Sequence, residues 1–162
     1  MSYLIAAITL AIVAAIEAAW PQWLYWGGER PEFLVAAVMS AGLLLGWSAG
    51  VKAAFFAAFY RGALEAQPWG GLFIAYLAIG LLAGTVGHRL LVRRASAAFA
   101  AALASVLVFR LLLMIFQPPG SLGLWFWGSL RACAYTAVFA VPLHAVLLSA
   151  MRRIQPDAQI WR

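Results

Sequence analysis

The chain has 162 residues, of which 66% are hydrophobic and 10% are charged, and its mean hydropathy is +0.94. This composition is too apolar for a soluble domain of this length, and it predicts an integral membrane protein with one transmembrane domain over residues 1–162. The formal charge is +6, but the basic residues stand at the ends of apolar segments, which argues against nucleic acid as a partner.

Apolar segments and chain breaks predict six membrane-spanning helices. A helix needs about 17 to 25 residues to cross the hydrocarbon core. Residues 31–66 would form a helix of roughly 54 Å, which is too long for one crossing, so we expect a break near Gly46 and Gly50. The predicted fold is all-α, and the predicted spans are about 3–19, 32–46, 49–66, 71–88, 96–116 and 124–150.

The first apolar segment is interpreted as a retained helix. No Lys or Arg precedes it, and Glu17 interrupts the small-residue stretch where a signal peptidase would cut. Cleavage of this segment stays open as the alternative.

Positive charges predict the orientation of the six spans. Basic residues at three places fall on one side: Lys52 just after the break between spans two and three, Arg89, Arg93 and Arg94 between spans four and five, and Arg152 and Arg153 after span six. Because cytoplasmic loops are enriched in Lys and Arg, both termini are expected in the cytoplasm. Tryptophans mark the other three connections, as an outer membrane interface would.

Small residues recur every fourth position in several spans. The first span has the longest such stripe, formed by Ala7, Ala11, Ala15 and Ala19. Side chains without bulk let helix backbones approach closely, which supplies van der Waals contact inside a bilayer. Packing within the protein is one interpretation. Binding of a partner helix by the first span is the other.

Five charged residues and one tyrosine are predicted to lie near the outer ends of the spans. They are Glu17, Arg61, Glu65, Arg110, Arg131 and Tyr135. Charges at membrane depth need a partner or a wet cavity. One hypothesis is that they pair with each other or extend to the headgroups. The other is that Arg110 and Arg131, with Tyr135 as a hydroxyl donor, bind a carboxylate, a phosphate or a lipid headgroup.

Sequence motifs typical of enzymes are missing from the chain. There is no glycine-rich phosphate loop, no HExxH zinc motif and no Gly-x-Ser-x-Gly. We therefore expect no catalytic residue, no metal site and no cofactor. The single cysteine, Cys133, lies in an apolar segment and is interpreted as a packing residue.

Turn residues and small residues form a pattern from the start of span two to span four. They are Arg30 to Leu34, Gly46, Ala49, Gly50, Ala54, Phe55, Ala58, Pro68 to Gly70, Ala75, Tyr76, Ala83 and Gly84. In these residues the segment resembles MreD, the small membrane subunit of the bacterial rod-shape system, or elongasome. MreD usually has glycine where Ala54 and Ala58 stand. It also has an acidic residue near the end of span three, where this chain has Arg61 and Gly62.

The resemblance implies a non-enzymatic subunit of the bacterial cytoplasmic (inner) membrane. It implies binding to MreC, a bitopic protein, and through MreC an indirect link to peptidoglycan synthesis and cell shape. It also implies a bundle similar to the S components of energy-coupling-factor transporters. An S-component-like subunit that binds a small molecule such as a vitamin is therefore the alternative function, and a lipid-handling protein is a third. Whether the chain forms homo-oligomers stays open.

Overall fold

The structure is a computed structural model, and it describes residues 2–65, 69–87 and 95–154. Within these ranges six α-helices and one short 3-10 helix form, and no strand forms. The helices are α1 (Ser2–Ala18), α2 (Phe33–Leu45), α3 (Trp47–Glu65), α4 (Trp69–Gly87), α5 (Ala95–Phe116) and α6 (Leu122–Ile154), with the 3-10 helix at Gln22–Leu24.

The predicted all-α fold is confirmed, and each predicted span corresponds to one helix. In the described part of the chain, three helical segments are long and apolar enough to cross a membrane: Trp69–Gly87, Ser96–Phe116 and Leu122–Ser149. The apolar parts of α1 and α2 are shorter, at Ala7–Ala18 and Phe33–Leu45. Residues 66–68 and 88–94 lie outside the described residues, and they include Pro68 of the resemblance and three of the arginines that predict orientation.

Helix α2 is the centre of the bundle. Ten of its thirteen residues are buried, and within the described part of the chain it packs against each of the other five helices. The outer helices contact one another in the order α1, α3, α4, α5 and α6. Among the described residues, α1 and α6 do not pack together, so the ring around α2 is open between them.

Helices α2, α3 and α4 meet through glycines. Gly46 ends α2 with a φ of +85°, a conformation that glycine adopts without strain, and α3 begins at the next residue. A Cβ atom built on Gly42 would lie 2.9 Å from the Ala83 Cβ. A Cβ atom on Gly80 would lie 2.6 Å from the carbonyl carbon of Gly50. The backbones are therefore too close to accommodate any side chain here.

The opposite end of the bundle contains the short connection from α1 to α2. Trp26 and Glu29 exchange two backbone hydrogen bonds, of 2.9 and 3.2 Å, around Gly27 and Gly28. Both glycines have positive φ, of 62° and 87°. This turn returns the chain toward the bundle, so the residues just before α2 face the other helices rather than the exterior.

Substitution at the glycine contact is the first test of this packing. Gly80→Ala is expected to lower the free energy of unfolding in detergent micelles by about 1 to 3 kcal/mol, because the methyl group would force α3 and α4 apart. Gly123→Ala is the matched control, since a Cβ atom there meets nothing within 4 Å. It should leave stability unchanged or slightly higher. Equal effects of the two substitutions would contradict the close contact.

Candidate functional site

The N-terminus of α2 is held by side chains from two other helices. The Leu34 amide donates a hydrogen bond of 2.7 Å to Oε2 of Glu17 on α1. The Glu32 amide donates one of 2.9 Å to Oγ1 of Thr136 on α6. Amides in the first turn of a helix have no partner within the helix. Glu17 and Thr136 therefore satisfy two polar groups that are buried at the centre of the bundle.

Arg61 on α3 lies next to this helix start and is 6% exposed. Its guanidinium forms a close ion pair with Glu32, and it lies 3.3 Å from a Glu17 oxygen and 3.2 Å from a Glu65 oxygen. The same group donates to the Tyr76 hydroxyl on α4 at 3.3 Å. A buried guanidinium is costly unless charges and acceptors surround it. Three carboxylates meet that requirement here.

Arg110 on α5 approaches the same carboxylate from another side. Its Nη2 atom lies 2.6 Å from Glu29 Oε2 and 3.3 Å from Glu32 Oε1. Glu32 therefore bridges two arginines from different helices. Arg30 completes the arrangement by an ion pair with Glu65.

We call these seven residues the charged network: Glu17, Glu29, Arg30, Glu32, Arg61, Glu65 and Arg110. It contains four carboxylates and three guanidiniums, so its formal charge is −4 + 3 = −1 with every group ionised. It joins α1, α3, α5 and the segment before α2, and Tyr76 and Thr136 connect it to α4 and α6. The five helices around α2 and the segment before it thus contribute to one polar centre.

Four of the predicted site residues lie in the charged network, and two do not. Arg131 is exposed and donates a hydrogen bond of 3.3 Å to the Gly27 carbonyl. Tyr135 donates one of 2.5 Å to the Leu24 carbonyl. Both residues bind the backbone of the α1 to α2 connection, on the α6 side. The structure thus places Arg110 and Arg131 in different surroundings, and a shared ligand stays a prediction.

Sequence reasoning left Glu29, Arg30 and Glu32 out of the site. The sequence around them, with two glycines and Pro31, is typical of a turn followed by a helix start, and this gives no reason to place them inside the bundle. The count of charged residues in the predicted site could have identified them. Three arginines, Arg61, Arg110 and Arg131, outnumber the two glutamates Glu17 and Glu65 there. Glu29 and Glu32 are the other glutamates near the predicted outer side.

A second polar contact lies deeper along α2. The Ser40 hydroxyl and Nδ1 of His144 on α6 are 3.2 Å apart, and both residues are buried. Thr136 and His144 lie eight residues apart on α6, so these two contacts fix the register of α6 against α2 at two heights. Both contacts serve packing between the helices.

The alanine stripe of α1 turns gradually from the bundle to the exterior. Ala7 and Ala11 are half-buried, whereas Ala15 and Ala19 are exposed. The cause is helix geometry, since each step of four residues advances about 40° around the axis. The buried side of α1 is formed instead by Leu10, Val13, Ala14 and Glu17. The outward side carries Ile8, Ile12 and Ile16, which are 48 to 56% exposed.

Removing the charge of Arg61 tests whether the network stabilises the fold. Arg61→Met is expected to lower the free energy of unfolding in micelles by about 3 to 5 kcal/mol, because buried carboxylates lose their counter-ion. Arg131→Met is the matched control, and as an exposed arginine it should cost less than about 1 kcal/mol.

The double variant Arg61→Met with Glu17→Gln distinguishes a network from independent residues. The glutamine keeps an oxygen acceptor for the Leu34 amide but removes an uncompensated charge, so the double variant should be more stable than Arg61→Met alone. A Glu17→Gln effect of the same size and sign in both backgrounds would show that the two residues do not interact.

Compared with models of protein families, with curated proteins and with solved structures, the chain matches none.

Proposed function

We propose that this chain is a non-enzymatic subunit of the bacterial rod-shape complex, similar to MreD, that binds a bitopic MreC-like protein. In this proposal it crosses the bacterial cytoplasmic membrane six times with both termini inside, in a bundle like that of the transporter S components. Through the partner it supports peptidoglycan synthesis and cell shape.

The outward side of α1 is the observation that carries the proposal. Within the described residues α1 packs only on α2 and α3, and its outward side combines Ile8, Ile12 and Ile16 with the small residues Ala15 and Ala19. Large apolar side chains beside small ones form ridges and a shallow groove, the surface on which a second transmembrane helix packs. A bitopic protein supplies one such helix.

The charged network favours a scaffold over a subunit that binds a small anion. Arg61 and Arg110 each contact carboxylates of the same chain, and Arg61 is almost fully buried. An anion would have to compete with Glu29 and Glu32 for Arg110, whereas Arg61 is already surrounded by three carboxylates. The contacts therefore fit a role in holding the helices, and they give the S-component alternative less support.

The resembling segment also fits a structural role. Gly50 of α3 lies against Gly80 of α4, and Gly84 lies against the backbone of Trp47. Ala54 and Ala58 on α3 are fully buried. Residues that carry the resemblance thus contribute to one contact among α2, α3 and α4, which determines the shape of the bundle.

Cysteine accessibility tests the proposed orientation. In a Cys133→Ser background, single cysteines at positions 94 and 153 should both react with a membrane-impermeant thiol reagent only after the cytoplasmic side is exposed. Labelling of the two positions from opposite sides would contradict six crossings.

Partner binding through α1 is tested by purification from native membranes followed by native mass spectrometry. We expect a bitopic protein at fixed stoichiometry. Ala15→Trp should reduce the co-purified partner by about tenfold, equivalent to about 1.4 kcal/mol, because the indole would separate the two helices. Leu107→Trp is the matched control, since Leu107 is 39% exposed on α5, away from α1.

Three results would contradict the proposal in different ways. Equal loss with both tryptophan variants would place the interface elsewhere. Retention of the partner with Ala15→Trp would also exclude the outward side of α1 as the surface that binds the partner. A bound small anion without a bitopic protein, lost on Arg110→Ala, would favour the S-component alternative.

A further inference from the structure

An apolar groove of about 350 Å³ lies between α2, α4 and α5, on the half of the bundle away from the charged network. Met39 and Leu43 of α2 contribute to its floor, and its lining continues from Ile79 to Val86 on α4. On α5 the lining begins at Ala97 and ends at Val108. Ala100 and Ala104 on one side and Leu82 on the other are exposed, so the groove opens toward the surroundings of the bundle.

The groove exists because the part of α5 that lines it consists mostly of small residues. Ala97, Ala100, Ala101 and Ala104 line it, together with Ser105. These positions repeat every three or four residues and so share one face of the helix. Side chains with so little bulk do not fill the space against α4, and the remaining volume is lined almost wholly by carbon atoms.

The length of the groove matches half of a membrane. Residues 79–86 of α4 span about 11 Å, and residues 97–108 of α5 span about 17 Å, at 1.5 Å per residue. The hydrocarbon core of a bilayer is about 30 Å thick, so one leaflet contributes about 15 Å. The groove runs along the helices from their ends toward the middle of the bundle, as the acyl chains of one leaflet do.

The groove is too small to enclose a transmembrane helix. A transmembrane helix about 10 Å wide and 30 Å long fills roughly 2,400 Å³, whereas the groove offers about 350 Å³. That volume lies in the range of pockets for small ligands, about 300 to 1,000 Å³. A single extended hydrocarbon chain is narrow enough to enter it.

The sequence next to the groove carries positive charge. Val86 is one residue from the end of α4, and Ala97 is two residues past the start of α5. The seven residues that join these helices in the sequence include Arg89, Arg93 and Arg94. Basic residues beside a membrane attract anionic headgroups. The sequence that joins the two helices beside the groove therefore favours an anionic phospholipid over a neutral one.

We propose that the groove between α4 and α5 binds one acyl chain of an anionic phospholipid from the leaflet on this side. Met39 and Leu43 of α2 contact the acyl chain at the floor of the groove. The alanines of α5 let the acyl chain lie close to the α5 backbone. The site is on a different surface from the outward side of α1, so the proposal does not depend on the bitopic partner.

Native mass spectrometry of the purified chain with equimolar phosphatidylglycerol and phosphatidylcholine tests this site. The chain should retain one phosphatidylglycerol with a preference of about fivefold or more over phosphatidylcholine. Ala104→Phe should reduce that retention by about fivefold, because the ring occupies the groove. Leu107→Phe is the matched control, since Leu107 lies on the same helix outside the lining and should retain the lipid.

A photo-crosslinking measurement tests the proposal without any substitution. Phosphatidylglycerol with a diazirine on its acyl chain should label peptides from residues 79–86 and 97–108 of the unmodified chain above those of α1 and α3. Uniform labelling of all helices would overturn the proposal. Equal retention of the two lipids, or unchanged retention with Ala104→Phe, would overturn it as well.

Discussion

The position of Glu32 constrains the whole bundle. This buried carboxylate stands at the start of the central helix, and it contacts Arg61 of α3 and Arg110 of α5. Removing three charges from water is costly, and the cost is offset only when the groups meet within ion-pair distance. The helices that carry them therefore have little freedom to shift. A displacement of α3 or α5 would leave a buried charge without its partner.

The other end of the central helix is held by close packing instead of charge. Gly42 lies against α4 near Ala83, and Gly46 turns the chain directly into α3. Contacts of this kind act only at very short range, because dispersion attraction falls steeply with distance. The charged network sets which helices surround the N-terminus of α2. The glycines set how near α3 and α4 approach its C-terminus.

The helices could be predicted from the sequence, but the centre of the site could not. Long apolar segments and Gly46 predict the helices. Arg61 and Glu65 are four residues apart, which predicts that these two side chains share one face of a helix. The inward position of Glu29 and Glu32 depends on the turn at Gly27 and Gly28, which returns the connection toward the bundle. A tertiary contact of this kind leaves no periodic signal in the sequence. Helix periodicity likewise could not show which face of α1 would be covered.

The charged network and the outward side of α1 are physically linked. Glu17 binds the Leu34 amide and lies beside Arg61, so the last turns of α1 are fixed by the polar centre. The Tyr60 hydroxyl donates to the Ala7 carbonyl at 3.3 Å, which fixes the first turns. With Glu17 turned inward, helix geometry turns Ile12, Ala15 and Ala19 outward. A rigid face of this kind binds a second helix without a loss of freedom in α1. The buried charges thus orient the helix to which we propose that the partner binds.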